Sequence, residues 1–359
     1  MNILLFLGGL ALLVFGASLL VRGASKLALS MGISPLVVGL TVVAFGTSAP
    51  EVAVSVGAVL KGQTDIAIGN VVGSNIFNVL FILGASALIT PLVVNVQLIR
   101  QEVPIMLGAS LLLLAFGLDG TVSLWDGGFL FVLLVAYTAF LVVQSRSETA
   151  AAQAEFADLS PAAAPGAWDA KWPVQIALIA AGLAALVFGS EWLVEASVRF
   201  ARAMGVSDLV IGLTIVAAGT SLPEVATSVV ATLRGERDIA VGNVIGSNTF
   251  NLLGVLGLSS LVAPQALAVA PAMLSFDLPV MIGVALACLP IFFTGHVIAR
   301  WEGALFLAYY AAYMAYLLLA AQRHDLLDTY ATAMLTVVLP LTAVTLAVFA
   351  ARHWRARRR

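Results

Sequence analysis

Apolar residues run through this chain in long uninterrupted blocks rather than in the alternating or amphipathic patterns of a soluble fold. A bilayer core about 30 Å thick takes about 20 apolar residues per helix. About eleven stretches meet that length, near 2–22, 33–60, 66–90, 99–117, 123–143, 173–195, 206–233, 239–262, 272–295, 302–321 and 329–351. The pattern predicts an all-α polytopic membrane protein. The first stretch carries no basic segment before it and no small-residue cleavage pattern, so it reads as a retained span rather than a secretory signal.

One segment breaks the pattern. Residues 146–171 are rich in Ala, with Pro161, Pro165 and scattered acids, a composition that reads as a flexible linker too short to house a folded domain. It separates residues 1–145, holding spans 1–5, from residues 172–322, holding spans 6–10. Residues 323–359 add an eleventh span and a basic tail.

The two halves are copies. Residues 39–84 match residues 212–257 without a gap, with 31 of 46 positions identical at a constant offset of 173. Five predicted spans lie between equivalent points, an odd number, so the second copy enters the membrane from the opposite side. Inverted repeats with interrupted helices mark secondary transporters, which bind substrate and coupling ions near the midplane between the halves.

The most similar stretch is also the most polar. Glu51 falls midway along the second span and Glu224 is its counterpart in the seventh. A carboxylate at that depth costs about 2.5–3.5 kcal/mol on insertion scales and is a functional residue by default. No Lys, Arg or His lies near either depth in those spans, so the expected partner is a bound cation. The surrounding side chains are hard oxygen donors: Thr47, Ser48, Ser74 and Asn78, repeated as Thr220, Ser221, Ser247 and Asn251. Such a set suits calcium, which takes six to eight oxygens, better than zinc or copper. Ala44, Thr47 and Glu51 share one helical face, and Asn70, Ser74 and Asn78 another. Pro50 cannot donate to the carbonyl of Gly46, so the helix should break near Gly46 and Thr47, and Pro223 repeats this at Gly219. For Gly73 and Gly246 close helix packing is the simpler role.

The paired strings GTSAPE (46–51) with GNVVGSNIFN (69–78), and GTSLPE (219–224) with GNVIGSNTFN (242–251), resemble the two alpha repeats of the calcium/cation antiporter superfamily, the sodium/calcium exchangers and their prokaryotic relatives. The resemblance implies an antiporter, not an enzyme, that works by alternating access and needs no cofactor beyond the transported Ca2+ and Na+. It makes Glu51 and Glu224 ligands shared by calcium and the counter-ion. Thr47, Thr220 and the hydroxyls of Ser48, Ser74, Ser221 and Ser247 complete the sites, and the carbonyls of Ala44 and Ala217 hold peripheral sodium ions. Two features depart from the family pattern. Both halves carry Asn, at 78 and 251, where some sodium-coupled members have an Asp in the second, which keeps proton coupling open; and the eleventh span has no counterpart in the repeat. A membrane enzyme using the two glutamates as an acid/base pair, or a passive cation channel, are the readings from other classes.

Composition agrees with a life in lipid: 61% of residues are hydrophobic and 10% charged, against roughly 25% charged in soluble domains. A net charge of −2 gives no reason to invoke nucleic acid. If the N-terminus is outside, 13 of the 17 basic residues fall on inside segments, which by the positive-inside rule predicts a cytoplasmic linker and C-terminus in a cell (inner) membrane. The single cysteine, Cys288, excludes a disulfide framework. His296, His324 and His353 lie at span ends or in the tail. Asp65 and Asp238, which open spans 3 and 8, are expected to cap their helices.

Overall fold

A chain whose apolar blocks sit in hydrocarbon must satisfy every backbone N–H and C=O internally, and helices do so within one segment. The computed structural model describes residues 2–156, 169, 171–204, 215 and 217–357. In its described residues the first half comprises α1 (Asn2–Met31), α2 (Pro35–Thr47), α3 (Ala49–Leu60), α4 (Thr64–Ile89), α5 (Leu98–Gly117) and α6 (Leu124–Phe156). The second half comprises α7 (Trp172–Ala203), α8 (Ala217–Gly219), α9 (Leu222–Leu233), α10 (Arg237–Val262), α11 (Met273–Phe293) and α12 (Arg300–Ala321), and α13 (Leu327–Phe349) follows. Nine described helices are long and apolar enough to cross a membrane, or ten when α2 and α3, bent by 44° at their junction, count as one span. The expected seventh span is described only from residue 217 onward, apart from residue 215, so its first part lies outside the described residues.

Several elements outrun the hydrophobic pattern. α1 continues to Met31, and α6 runs to Phe156, well into the segment read as a flexible linker. The reason is local: residues 147–156 are dominated by Ala, Glu and Gln, strong helix formers that extend a helix already nucleated. At the other end of that segment Asp169 is tied to α1, with the Arg22 guanidinium 2.8 Å from its carboxylate.

α1 and α7 are equivalent helices, and they pack on each other antiparallel. A Cβ on Gly9 would lie 2.8 Å from the carbonyl oxygen of Gly189, and one on Gly16 would lie 2.8 Å from that of Gly182. At the offset of 173, Gly9 corresponds to Gly182 and Gly16 to Gly189, so the two contacts are images of each other. Equivalent helices running in opposite directions across a two-fold are what an inverted repeat requires. The loops obey the same symmetry: β1 (Leu92–Val93) pairs antiparallel with β4 (Val297–Ile298), and β2 (Thr121–Val122) with β3 (Leu267–Ala268), each ladder joining one half to the other.

α13 stands outside this symmetry. It is held to α12 by the Tyr330 hydroxyl donating to the Ala312 carbonyl at 2.9 Å and by Trp301 against Phe349. Leu335, Val337, Leu341 and Val344 face outward, as suits a helix bathed in lipid.

Candidate functional site

The site is built where two broken helices meet α4 and α10. Pro50 has no N–H to give, and α2 ends at Thr47 with Ser48 in a non-helical conformation before α3 begins. The break expected near Gly46 and Thr47 therefore falls one residue later. Glu51 lies in the first turn of α3 and Glu224 in the first turn of α9, where the positive end of the helix dipole favours a carboxylate. Both side chains are fully buried.

Each carboxylate is held by the opposite copy. The Ser221 hydroxyl donates to Glu51 Oε1 at 2.9 Å, and the Ser48 hydroxyl donates to Glu224 Oε1 at 3.2 Å. Ser221 and Ser74 share a contact of 3.2 Å, while Thr47 lies 3.5 Å from Ser247. Thr47 donates to Asn243 Oδ1 at 3.0 Å, mirrored by Thr220 donating to Asn70 Oδ1 at 3.4 Å. The shared face expected for Thr47 and Glu51 is thus divided by the helix break: Thr47 turns toward the Glu224 side of the site. The Ala44 carbonyl accepts from the Ser48 N–H at 3.1 Å and lies 3.3 Å from the Thr47 hydroxyl, and Ala217 falls in the described part of the seventh span.

What is unsatisfied is as regular as what is bonded. Among the described residues, Glu51 Oε2, Glu224 Oε2, Asn78 Oδ1 and Asn251 Oδ1 are buried acceptors that find no hydrogen-bond partner. Among the described residues no basic side chain pairs with either glutamate. Two equivalent carboxylates and two equivalent amide oxygens are thus buried, hard donors of the kind a cation takes.

The profile of the sodium/calcium exchanger protein family matches residues 1–143 and 174–319, covering both copies. The chain belongs to that family. Among relatives, the sodium/calcium exchanger MaX1 of Methanosarcina acetivorans is 36% identical over 345 residues, spanning 88% of this chain and 98% of its own. The inner membrane protein YrbG of Escherichia coli is 39% identical over 282 residues, 79% of this chain and 86% of its own. A solved structure of the sodium–calcium exchanger NCX_Mj, soaked with sodium and calcium, superposes with a TM-score of 0.74 at 32% identity, covering 88% of this chain and 97% of that one. The exchanger fold is thus present here, with α13 added after the part that the family profile covers.

Some polar residues around the two glutamates are absent from the ligand set expected from sequence. Asn70 donates to the Glu51 carbonyl and to Ser55, and Asn243 repeats both bonds with Glu224 and Ser228. Asn75 and Asn248 bond across the two-fold. The signal for them was available, since each is identical at the offset of 173. A second symmetric pair lies farther off: Tyr137 donates to Glu102 at 2.6 Å and Tyr313 to Asp277 at 2.8 Å. These positions are separated by 175 and 176 residues, so the ungapped repeat does not find them.

The capping expectation is corrected. Gln63 and Glu236, not Asp65 and Asp238, occupy the caps, and neither makes a side-chain capping bond; the two Asp residues sit in the first turn, where the dipole alone favours them. The packing role expected for Gly73 and Gly246 is borne out for Gly246, where a Cβ would meet the Leu40 carbonyl at 2.6 Å; a Cβ on Gly73 meets none of the described residues within 4 Å, and the counterpart of Leu40, residue 213, lies outside them.

Proposed function

We propose that this chain is a secondary active antiporter that exchanges Ca2+ for Na+ across the cytoplasmic membrane by alternating access, with Glu51 and Glu224 as the central ligands. The observation that carries the reading is the doubled set of buried oxygens without partners among the described residues, one carboxylate and one amide from each copy. Thr47, Ser48, Ser74, Thr220, Ser221 and Ser247 add hydroxyls, and Asn78 and Asn251 add amide oxygens. The carbonyls of Ala44 and Ala217 border the site on its outer sides. Residues 1–145 and 172–322 are the two inverted repeats, joined by residues 146–171 on the cytoplasmic side, with the N-terminus outside. The bias of basic residues supports this orientation.

Alternation of carboxylate and hydroxyl suits both ions. Calcium offsets the two negative charges at once, whereas several sodium ions share them with the surrounding oxygens. Proton coupling is the second reading: with Asn78 and Asn251 neutral the site holds two carboxylates, and either one calcium or two protons leave it uncharged. Three sodium ions leave it at +1, and moving one net charge is driven by about 2.3 kcal/mol per 100 mV.

Purified protein in sealed vesicles separates the readings. A sodium gradient alone should drive calcium uptake against its own gradient, faster when a clamped potential favours the charge moved. Uptake driven by a pH gradient in sodium-free vesicles would replace sodium by protons. Calcium flux that only runs downhill, whatever the counter-ion, would mean a channel.

A further inference from the structure

The amide of an Asn can offer a cation its oxygen or turn its NH2 toward it, and the two orientations have opposite effects. Asn78 and Asn251 are therefore useful to a cation only if something fixes which end faces the site. Four bonds across the two-fold do so. Asn75 Nδ2 donates to the main-chain carbonyl of Asn248 at 3.2 Å, and Asn248 Nδ2 donates to the carbonyl of Asn75 at 3.1 Å. A carbonyl can only accept, so the NH2 ends of Asn75 and Asn248 are committed to it.

Their Oδ1 atoms must then point the other way. Asn248 Oδ1 accepts from Asn78 Nδ2 at 3.0 Å, and Asn75 Oδ1 accepts from Asn251 Nδ2 at 3.2 Å. Since an oxygen requires the NH2 of its neighbour, Asn78 and Asn251 are left with Oδ1 turned away from the brace. Those two oxygens are buried acceptors that find no partner among the described residues, as are Glu51 Oε2 and Glu224 Oε2. All four asparagines are buried, so water does not compete for these bonds.

We infer that Asn75 and Asn248 are positioning residues for ion binding: reciprocal bonds to each other's backbone lock the amides of Asn78 and Asn251 with oxygen toward the cation. The inference rests on the exchanger reading above and adds to it the residues that make neutral amides serve as ligands. It also couples the copies, because each amide is oriented by a residue of the other half. Neither Asn75 nor Asn248 needs to touch the ion.

The test is equilibrium binding of calcium to the purified full chain in detergent, with folding checked by thermal unfolding and size-exclusion chromatography. Partners that orient a metal ligand typically change affinity about 10–100-fold when removed. Asn248→Ala should weaken calcium binding about tenfold or more, and should add almost nothing when Asn78→Ala is already present. The pair Asn75→Ala and Asn251→Ala should behave alike, which supplies a second cycle if one variant does not fold. Additive losses in both cycles, or wild-type affinity in Asn248→Ala and Asn75→Ala, would overturn the inference. So would global unfolding of both single variants in the presence of calcium, which would mark the brace as structural. Absence of calcium binding by the unaltered protein would instead sink the exchanger reading itself.

Discussion

At the scale of single residues, the two glutamates combine a structural cost with a functional use. Each is fully buried, held through one oxygen by a serine of the other copy and left open at the second. Breaking a buried charge pair costs about 3–5 kcal/mol, which corresponds to roughly a hundredfold or more in affinity. Glu51→Gln and Glu224→Gln should therefore each abolish sodium-driven calcium uptake. An amide keeps an oxygen for the serine to bond, so both variants should remain folded and extractable. Calcium uptake near the wild-type rate in either one would show that the ion binds elsewhere. The serine bonds themselves could not be assigned from sequence, because which copy's hydroxyl serves which carboxylate depends on how the halves dock.

Elements are joined here by backbone approaching backbone. α1 and α7 meet at Gly9, Gly16, Gly182 and Gly189, where a side chain would strike main-chain atoms that cannot swing aside: a Cβ on Gly182 would lie 2.7 Å from the Leu20 nitrogen. In lipid, where apolar side chains gain little by leaving one apolar medium for another, such close packing is the main attraction between helices. Gly182→Val should lower stability by about 1–3 kcal/mol, the usual cost of overpacking. The measurement is a lower unfolding temperature in detergent, with Gly283→Val on α11, where a Cβ meets none of the described residues within 4 Å, as the control. Equal shifts for the two variants would refute the close-packing account. The hinge elements add a one-sided feature: the Ser190 hydroxyl of α7 donates to the Gly219 carbonyl at 2.6 Å, while α1 carries Ala17 at the equivalent position and has no hydroxyl to give.

For the whole molecule, inversion has a consequence that can be labelled. The loops after α3 and α9 are equivalent, with Gly62 and Gly235 both at positive φ, yet they belong to oppositely directed copies. In a background lacking the buried Cys288, Gln63→Cys should react with an impermeant thiol reagent added outside intact cells, and Glu236→Cys only after the cytoplasmic side is exposed. Labelling of both from one side would contradict the inverted arrangement, and a swap of the two sides would reverse the proposed orientation alone.

Spans, the duplication, the breaks at Pro50 and Pro223 and the list of oxygen donors were all legible in the chain, because each depends on local composition or on identity at one offset. A hydrophobic block of membrane length has one favourable environment, and a proline inside it has one effect on the helix. Other properties depend on distances between residues far apart in sequence. Docking of the halves decided that Thr47 serves the Glu224 side, that Ser221 holds Glu51, and that Asn75 and Asn248 reach across to each other's backbone. Helix propensity carried α6 beyond its apolar block to Phe156, while the span itself ends at Ser145, close to where hydropathy places it. A linear pattern names the groups able to bind a cation, but only packing across the two-fold determines which oxygens are consumed by the protein and which remain for the ion.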